Sequence, residues 1–289
     1  MIPRLSVALL LSVSVLSGCS GEKKASAAQP AAVKQGSVPP RQSVVANPSE
    51  AYRPIQVAGG GTLTGTVDYA GVVPPDSVFT VPADQVGCGQ TITDHAVDMS
   101  GTKVSGAVVW ITDIRTGKPL PIPRRFELVN SDCVLNPRVQ AVFAPGTLNM
   151  SSEDVAMHRN RIVNVGTGEM VGIAPFNDNG EVVPFDHLLD KPAELEVNCE
   201  IHPWSKAYIL VFDHPYFATT ASGGTFSIAD VPPGTYHVRA WHPVLGLSDQ
   251  TVTITAGQSS ALALKLSGRQ TPAAETPAAA PVDTSARTR

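Results

Sequence analysis

Residues Glu194 to Asp213 read ELEVNCEIHPWSKAYILVFD, and the reading of the whole chain turns on them. The stretch opens with strict alternation: Leu195 and Val197 point one way, Glu194, Glu196 and Asn198 the other. A second apolar run, Tyr208-Ile209-Leu210-Val211-Phe212, closes it. Both are strand patterns. The loop between them carries Cys199 and His202, with Pro203 and Trp204 directly after. A thiol and an imidazole on one short loop between core strands can reach a common small cation. Thiolate is a soft donor and imidazole a borderline one, so the pair favours copper or zinc over magnesium or calcium. A half-buried cysteine beside a surface histidine is the bland alternative, and Cys-x-x-His by itself does not decide between them.

Outward from this stretch, the chain repeats the strand pattern. Thr62 to Tyr69 alternates with period two, and Ser105 to Ile111 is mostly apolar, as in the middle of a sandwich. Arg125 to Val129 and Val139 to Phe143 are shorter strands, with Pro and Gly punctuating about every ten residues, the rhythm of an antiparallel sandwich. Thr225 to Val231 leads through Pro232-Pro233-Gly234 into Thr235 to Trp241. Gln250 to Thr255 and Ala261 to Leu266 follow. Glu153 to Met157 and Asp186 to Asp190 are each long enough for one helical turn at most. The fold class is all-β.

The chain has 289 residues, 43% hydrophobic and 6% aromatic, with a formal net charge of -4. That suffices for one sizeable sandwich and a smaller one. A weakly acidic chain with scattered Lys and Arg speaks against a nucleic-acid partner. At the N-terminus, Arg4 precedes a short apolar run, Val7 to Leu16, that ends in Leu16-Ser17-Gly18-Cys19. The run is too short to span a bilayer. The four residues resemble the lipobox of bacterial lipoproteins, which implies a signal peptide over 1–19, lipid on Cys19 and a body tethered to a membrane. Ser20 stands where inner-membrane retention favours Asp, pointing to the outer membrane. Residues 20–60, rich in Ala, Gln, Pro, Ser and Val, read as a disordered tether, and 269–289 as a disordered tail. About 40 such residues reach roughly 35 Å as a flexible coil.

In an oxidising compartment few thiols stay idle. With Cys19 assigned to lipid, Cys88 and Cys133 are the natural disulfide, worth about 3–4 kcal/mol in the chain-entropy model. Cys199 is then odd: buried or employed. A blue-copper centre needs one thiolate, two imidazoles and usually a weak axial thioether. His158, about forty residues before the Cys-His loop, is the best-placed second imidazole. His95 lies between the disulfide cysteines and His187 in a polar loop, and a surface role for His158 stays open.

Five stretches carry a family likeness: Asn130 to Pro137, His158, Cys199-Glu200-Ile201-His202-Pro203-Trp204, Asp213 to Ala218, and Trp241-His242-Pro243. Together they resemble the cupredoxins, most closely the plastocyanin-like proteins associated with methylamine utilisation. The resemblance implies a Greek-key sandwich over 61–214 with copper held by His158, Cys199 and His202. It departs where the family places its axial methionine, since this chain has Ser205, and Arg159 follows His158 where the family tends to have Asn. Met157 and Met170 are candidate replacements.

Residues Thr220 to Tyr236, with the core Gly-x-Phe-x-Ile-x-x-Val-Pro-Pro-Gly-x-Tyr, are similar to the carboxypeptidase regulatory-like (transthyretin-like) sandwich. That implies a second small domain over 215–268 and no catalysis. Gly61 to Tyr69 and Ala107 to Ile111 also fit the first half of such a module, so the copper-type sandwich could be inserted in it. His214 and His242, each before a proline, read as strand ends before turns, and Glu194 and Glu196 as a solvated pair. No Ser-His-Asp set, phosphate-binding glycine loop or zinc-helix motif is present. The expectation is an envelope-anchored, non-enzymatic copper protein that exchanges single electrons with a redox protein or another envelope component. The alternative is a binding lipoprotein with a degenerate copper site.

Overall fold

The computed structural model describes residues 40–46 and 48–268. The expectations for the signal peptide, Cys19 and the tail fall outside them. Every regular element among the described residues is a strand, so neither expected helical turn forms. No helix there is long and apolar enough to cross a membrane.

The longer strands begin with β1 (Gly61–Asp68), β2 (Val108–Ile111), β3 (Arg125–Ser131), β4 (Val139–Phe143) and β5 (Thr147–Ser152). Next come β6 (His158–Asn164), β7 (Met170–Phe176), β8 (Val182–Phe185), β9 (Ala193–Cys199) and β10 (Lys206–Phe212). The last are β11 (Phe217–Thr219), β12 (Thr225–Val231), β13 (Gly234–His242), β14 (Gly246–Ile254) and β15 (Ser259–Lys265).

They enclose two cores. The first lies between the sheet β4-β10-β9-β6-β7 and a smaller sheet in which β3, β5 and β8 follow the short strand Val134–Asn136. Leu128, Leu148, Met150, Ile162, Phe176, Leu195, Val197 and Ile209 fill it. The second lies between β11-β2-β13-β14 and the sheet holding β12, β1 and β15. It is filled by Leu63, Val67, Val109, Ile111, Phe226, Ile228, Val238 and Leu264. A linear division at 214/215 therefore does not separate the cores. Strand β1 pairs with β12 and, in parallel, with β15, and β2 pairs with β13. The physical reason is the alternation of β1: Leu63 and Val67 are fully buried, and the sheet face they need is made at the other end of the chain. Pro232-Pro233-Gly234 does not join a hairpin; it carries the chain from one sheet of this sandwich to the other.

The ladders are not all antiparallel. Strands β4 and β10 run parallel, as do β3 and β5, because each pair is joined through elements of the opposite sheet rather than by a tight turn. The two sandwiches meet along a seam of Val108, Trp110, Val139, Leu210, Phe212 and Trp241. Strand β10 explains the seam: its continuous apolar run faces one core with Ile209 and Val211 and the seam with Leu210 and Phe212.

Of the expected tether, residues 40–46 and 48–60 are described, and they are seated on the folded body. Val45 buries in the seam, the Val44 amide donates to Glu194 Oε2 at 2.8 Å, and Tyr52 donates to the Lys118 carbonyl at 2.7 Å. Residues Arg53–Pro54 pair with Thr116–Gly117. The same contacts correct the reading of Glu194 as solvated: it is buried beneath this segment, and burial pushes its carboxyl pKa up.

His242 ends a strand and His214 opens the turn two residues past one, and the structure gives the reason. Nδ1 of His214 accepts the Tyr216 amide at 3.2 Å, and Nδ1 of His242 accepts the amides of Val244 and Leu245. Each imidazole replaces a backbone acceptor inside a buried turn. Burial, helped by Arg115 and Arg138 respectively, pushes their pKa values down to about 3 and about 4. The unfolded chain takes up these protons near pH 6.5 while the folded chain refuses them. The stability they confer is therefore complete above pH 6.5 and is lost as the pH falls toward the folded values. Each unit of separation is worth about 1.4 kcal/mol. His214→Asn keeps a short acceptor for the turn but has nothing to titrate. Its urea midpoint should fall less than the wild type's between about pH 7 and about pH 5. Equal slopes would assign the acid loss to other groups.

Candidate metal centre

The centre sits at one end of the first sandwich, where β6 begins and β9 ends. His158 is the first residue of β6, and Asn160, two residues on, pairs with Cys199 at the end of β9. With a side-chain period of two, His158, Asn160 and Cys199 share one face. The chain then turns back over that face. The Cys199 amide donates to the Ser205 carbonyl at 3.1 Å and the Ser205 amide to the His202 carbonyl at 2.9 Å, so the loop folds His202 inward. Trp204 holds it there: its Nε1 donates to the Cys133 carbonyl at 2.9 Å, and its ring lies against the His202 ring.

The three sequence-predicted ligands converge. Sγ of Cys199 lies 3.6 Å from His202 Nδ1 and 3.8 Å from His158 Nδ1, and the two Nδ1 atoms are 3.1 Å apart. All three side chains are buried, His202 completely. Donors bonded to one ion at about 2.0–2.3 Å lie roughly 3.3–4.0 Å apart at open angles, which this triangle nearly meets without rearrangement.

The far side of each imidazole sets its tautomer. His158 Nε2 faces Asp154 Oδ2 at 2.9 Å, and His202 Nε2 faces Gln85 Oε1 at 3.1 Å. Both oxygens accept and cannot donate, so both Nε2 atoms carry the hydrogen. Both Nδ1 lone pairs then point at the same small space. Two lone pairs at that distance repel unless a cation lies between them, so the donor set fits a metal ion. Burial pushes the His158 pKa down even though Asp154 pulls it up. Burial and the neighbouring His158 push His202 down to about 4. Both imidazoles are thus neutral near pH 7, as ligands must be.

Cys88 and Cys133 form the expected disulfide, with a sequence separation of 45, and Cys199 is the free cysteine among the described residues. The two candidate thioethers do not turn inward: Met157 is 53% exposed and Met170 is 47% exposed. Met170 pairs with Val163, at the end of the β6–β7 ladder away from His158. Two buried oxygens without a protein partner, Asn160 Oδ1 and Ser205 Oγ, belong to the residues that flank Cys199. His95 and His187 are exposed, each against a carboxylate of its own, and take no part.

Sequence reasoning missed Asp154 and Gln85. Asp154 sits four residues before His158 within a segment read only as one helical turn. Gln85 lies three residues before Cys88, so the disulfide linking that loop to Cys133, just ahead of the site, was the signal available.

Residues 202–267 match the family model of the carboxypeptidase regulatory-like domain. That span supplies β10 to β15, and β1 and β2 complete the sandwich from upstream. No curated protein matches the chain. Among solved structures it is similar to amicyanin from Paracoccus versutus, at 10% identity and a TM-score of 0.27, covering 32% of this chain and 84% of that one. It is similar to a purple cupredoxin from Nitrosopumilus maritimus at 13% identity and a TM-score of 0.25, covering 29% and 97%. It is also similar to a copper-containing nitrite reductase from Thermus scotoductus SA-01, at 22% identity and a TM-score of 0.28. There it covers 42% of this chain and only 27% of the reductase. At these scores the metal reading rests on the donor geometry and not on the likenesses.

Removing the partner that orients a histidine ligand typically weakens metal binding by about 10–100-fold. Asp154→Asn keeps an oxygen for the Cys133 amide that Asp154 accepts at 3.0 Å but no longer holds a carboxylate against His158. A competitive chelator titration should show a loss in that range. Unchanged affinity would mean that the sheet alone orients His158.

Proposed function

We propose that this chain is a copper protein of the bacterial envelope that passes single electrons, tethered by lipid on Cys19 at the outer membrane and exchanging electrons with a redox protein or another envelope component. One observation carries the reading: two buried neutral imidazoles and an unpaired thiol converge on one point, with both far nitrogens already committed as donors. Bound copper supplies one-electron redox chemistry. The chain's own residues hold the site for it. Cys199 offers the soft thiolate, His158 and His202 the borderline nitrogens, and this set suits copper ahead of magnesium or calcium. Zinc shares the preference, and the thiolate-with-two-imidazoles pattern is what tips the reading to copper. Strands β6 and β9, locked by their ladder, hold His158 and Cys199, the returning loop holds His202, and burial keeps water out. Cys199, His158 and Asp154 do line up as thiol, imidazole and carboxylate, but a second imidazole turns its Nδ1 to the same thiol and all three donors are buried, which favours a carrier over an enzyme.

Ser205 in place of the thioether favours a second reading, a scaffold of β-sandwiches that binds an envelope partner with its copper site degenerate. The two readings part cleanly. Purified protein given one equivalent of Cu(II) should develop an intense visible thiolate-to-copper band that bleaches on reduction and returns on reoxidation. Cys199→Ser should abolish the band while leaving the far-ultraviolet strand signal unchanged. A colourless protein that retains no copper after dialysis would overturn the carrier reading in favour of the scaffold.

A further inference from the structure

The loop between the hairpin strands Ser77–Thr80 and Thr91–Asp94 lies across the metal centre. Along Pro82 to Gln90 the side chains are exposed except at two positions, Gln85 and Cys88. Both turn inward, and both end at the same atom. Gln85 Oε1 lies 3.1 Å from His202 Nε2, and Cys88 Sγ lies 3.7 Å from it. The loop cannot easily drift away. Cys88 is bonded to Cys133 within a small core of Val81, Ala156 and Trp204, and Trp204 itself donates to the Cys133 carbonyl. Gly87 has φ +101°, and a Cβ there would lie 2.8 Å from Val155 Cγ2, so the loop is pressed against the segment that leads into His158. His202 ends up fully buried under a cover whose two inward side chains both meet its Nε2, with Gln85 supplying the nearer and stronger acceptor.

We propose that Gln85 is the positioning residue for the His202 ligand: held in place by the Cys88–Cys133 bridge, its amide oxygen keeps the hydrogen on Nε2 and thereby aims the Nδ1 lone pair at the metal point. The inference rests on the metal reading above and goes beyond it, because it assigns orientation and closure of the centre to a loop far from the ligands in sequence. A cover that holds one ligand in its productive tautomer also slows the exchange of whatever ion the ligand holds. Gln85→Leu fills the same space without an acceptor, and Gln85→Glu retains one.

Nitrogen-15 spectra of the metal-free protein report which His202 nitrogen carries the hydrogen. Wild type and Gln85→Glu should show it on Nε2, and Gln85→Leu should show it redistributed between the two nitrogens. In Cu(I)-loaded protein, extraction by excess chelator should be roughly tenfold or more faster for Gln85→Leu than for wild type, with Gln85→Glu close to wild type. A purely structural loop role would change folding stability but neither the tautomer nor the rescue by Glu. An unaltered tautomer together with an unaltered extraction rate in Gln85→Leu would overturn the proposal. A wild type that binds no copper, with the tautomer still changed in Gln85→Leu, would sink the copper reading and leave the role of Gln85 standing.

Discussion

Two imidazole nitrogens, 3.1 Å apart and both presenting lone pairs, are the constraint on which the rest of the structure turns. Left to relax, neutral histidines would share a proton or rotate away. Here neither ring is free to do so. Asp154 occupies the outer nitrogen of one and Gln85 that of the other. The backbone around them is fixed from three directions: by the β6–β9 ladder, by the return of the Cys199–Ser205 loop on itself, and by a disulfide-held hairpin over the top. Strain of this kind persists only where surrounding contacts over-determine it, and such places cluster at functional sites.

The second sandwich contributes stiffness instead of donors. Strand β10 leaves the metal loop directly, borders the first core on one face, and lays Leu210 and Phe212 into the seam on the other. The seam also takes Trp110 from β2 and Trp241 from β13, strands whose own partners come from both ends of the chain. Because β1 and β2 complete the later sandwich, the polypeptide enters it, leaves to build the metal-bearing sandwich, and returns. A sandwich entered and left through adjacent strands has both its ends anchored, which limits the motion available at its base.

The ligand pair Cys199 and His202 was legible because both residues sit in one short motif between two obvious strands, and His158 because a thiolate and one imidazole call for another. The disulfide followed from counting thiols. The contacts that escaped the sequence are those that depend on three-dimensional return. Gln85 is separated from His202 by 117 residues, and nothing local marks it as a partner. Strand β1 has the alternation of any edge-to-core strand, and only its pairing with β12 and β15 reveals which core it serves. Composition also misplaced the end of the tether: the segment around Val44, Val45 and Tyr52 is polar and Pro-rich on average, yet three apolar side chains and one carboxylate, Glu194, are enough to seat it.

Charge balance gives Asp154 a role beyond orientation. On the copper reading, a thiolate beside a monovalent ion would be neutral overall, and a buried neutral group of this size is cheap to keep dry. A divalent ion there would leave one positive charge in a water-poor site, where an uncompensated charge is costly. Asp154, largely buried and within hydrogen-bond distance of His158, supplies the opposite charge through one ring. Gln85, on the other ring, supplies a dipole but no charge. The two imidazoles are therefore held by partners of unequal kind. The asymmetry places the opposing charge on the His158 side, where it would favour the oxidised state of a bound copper ion.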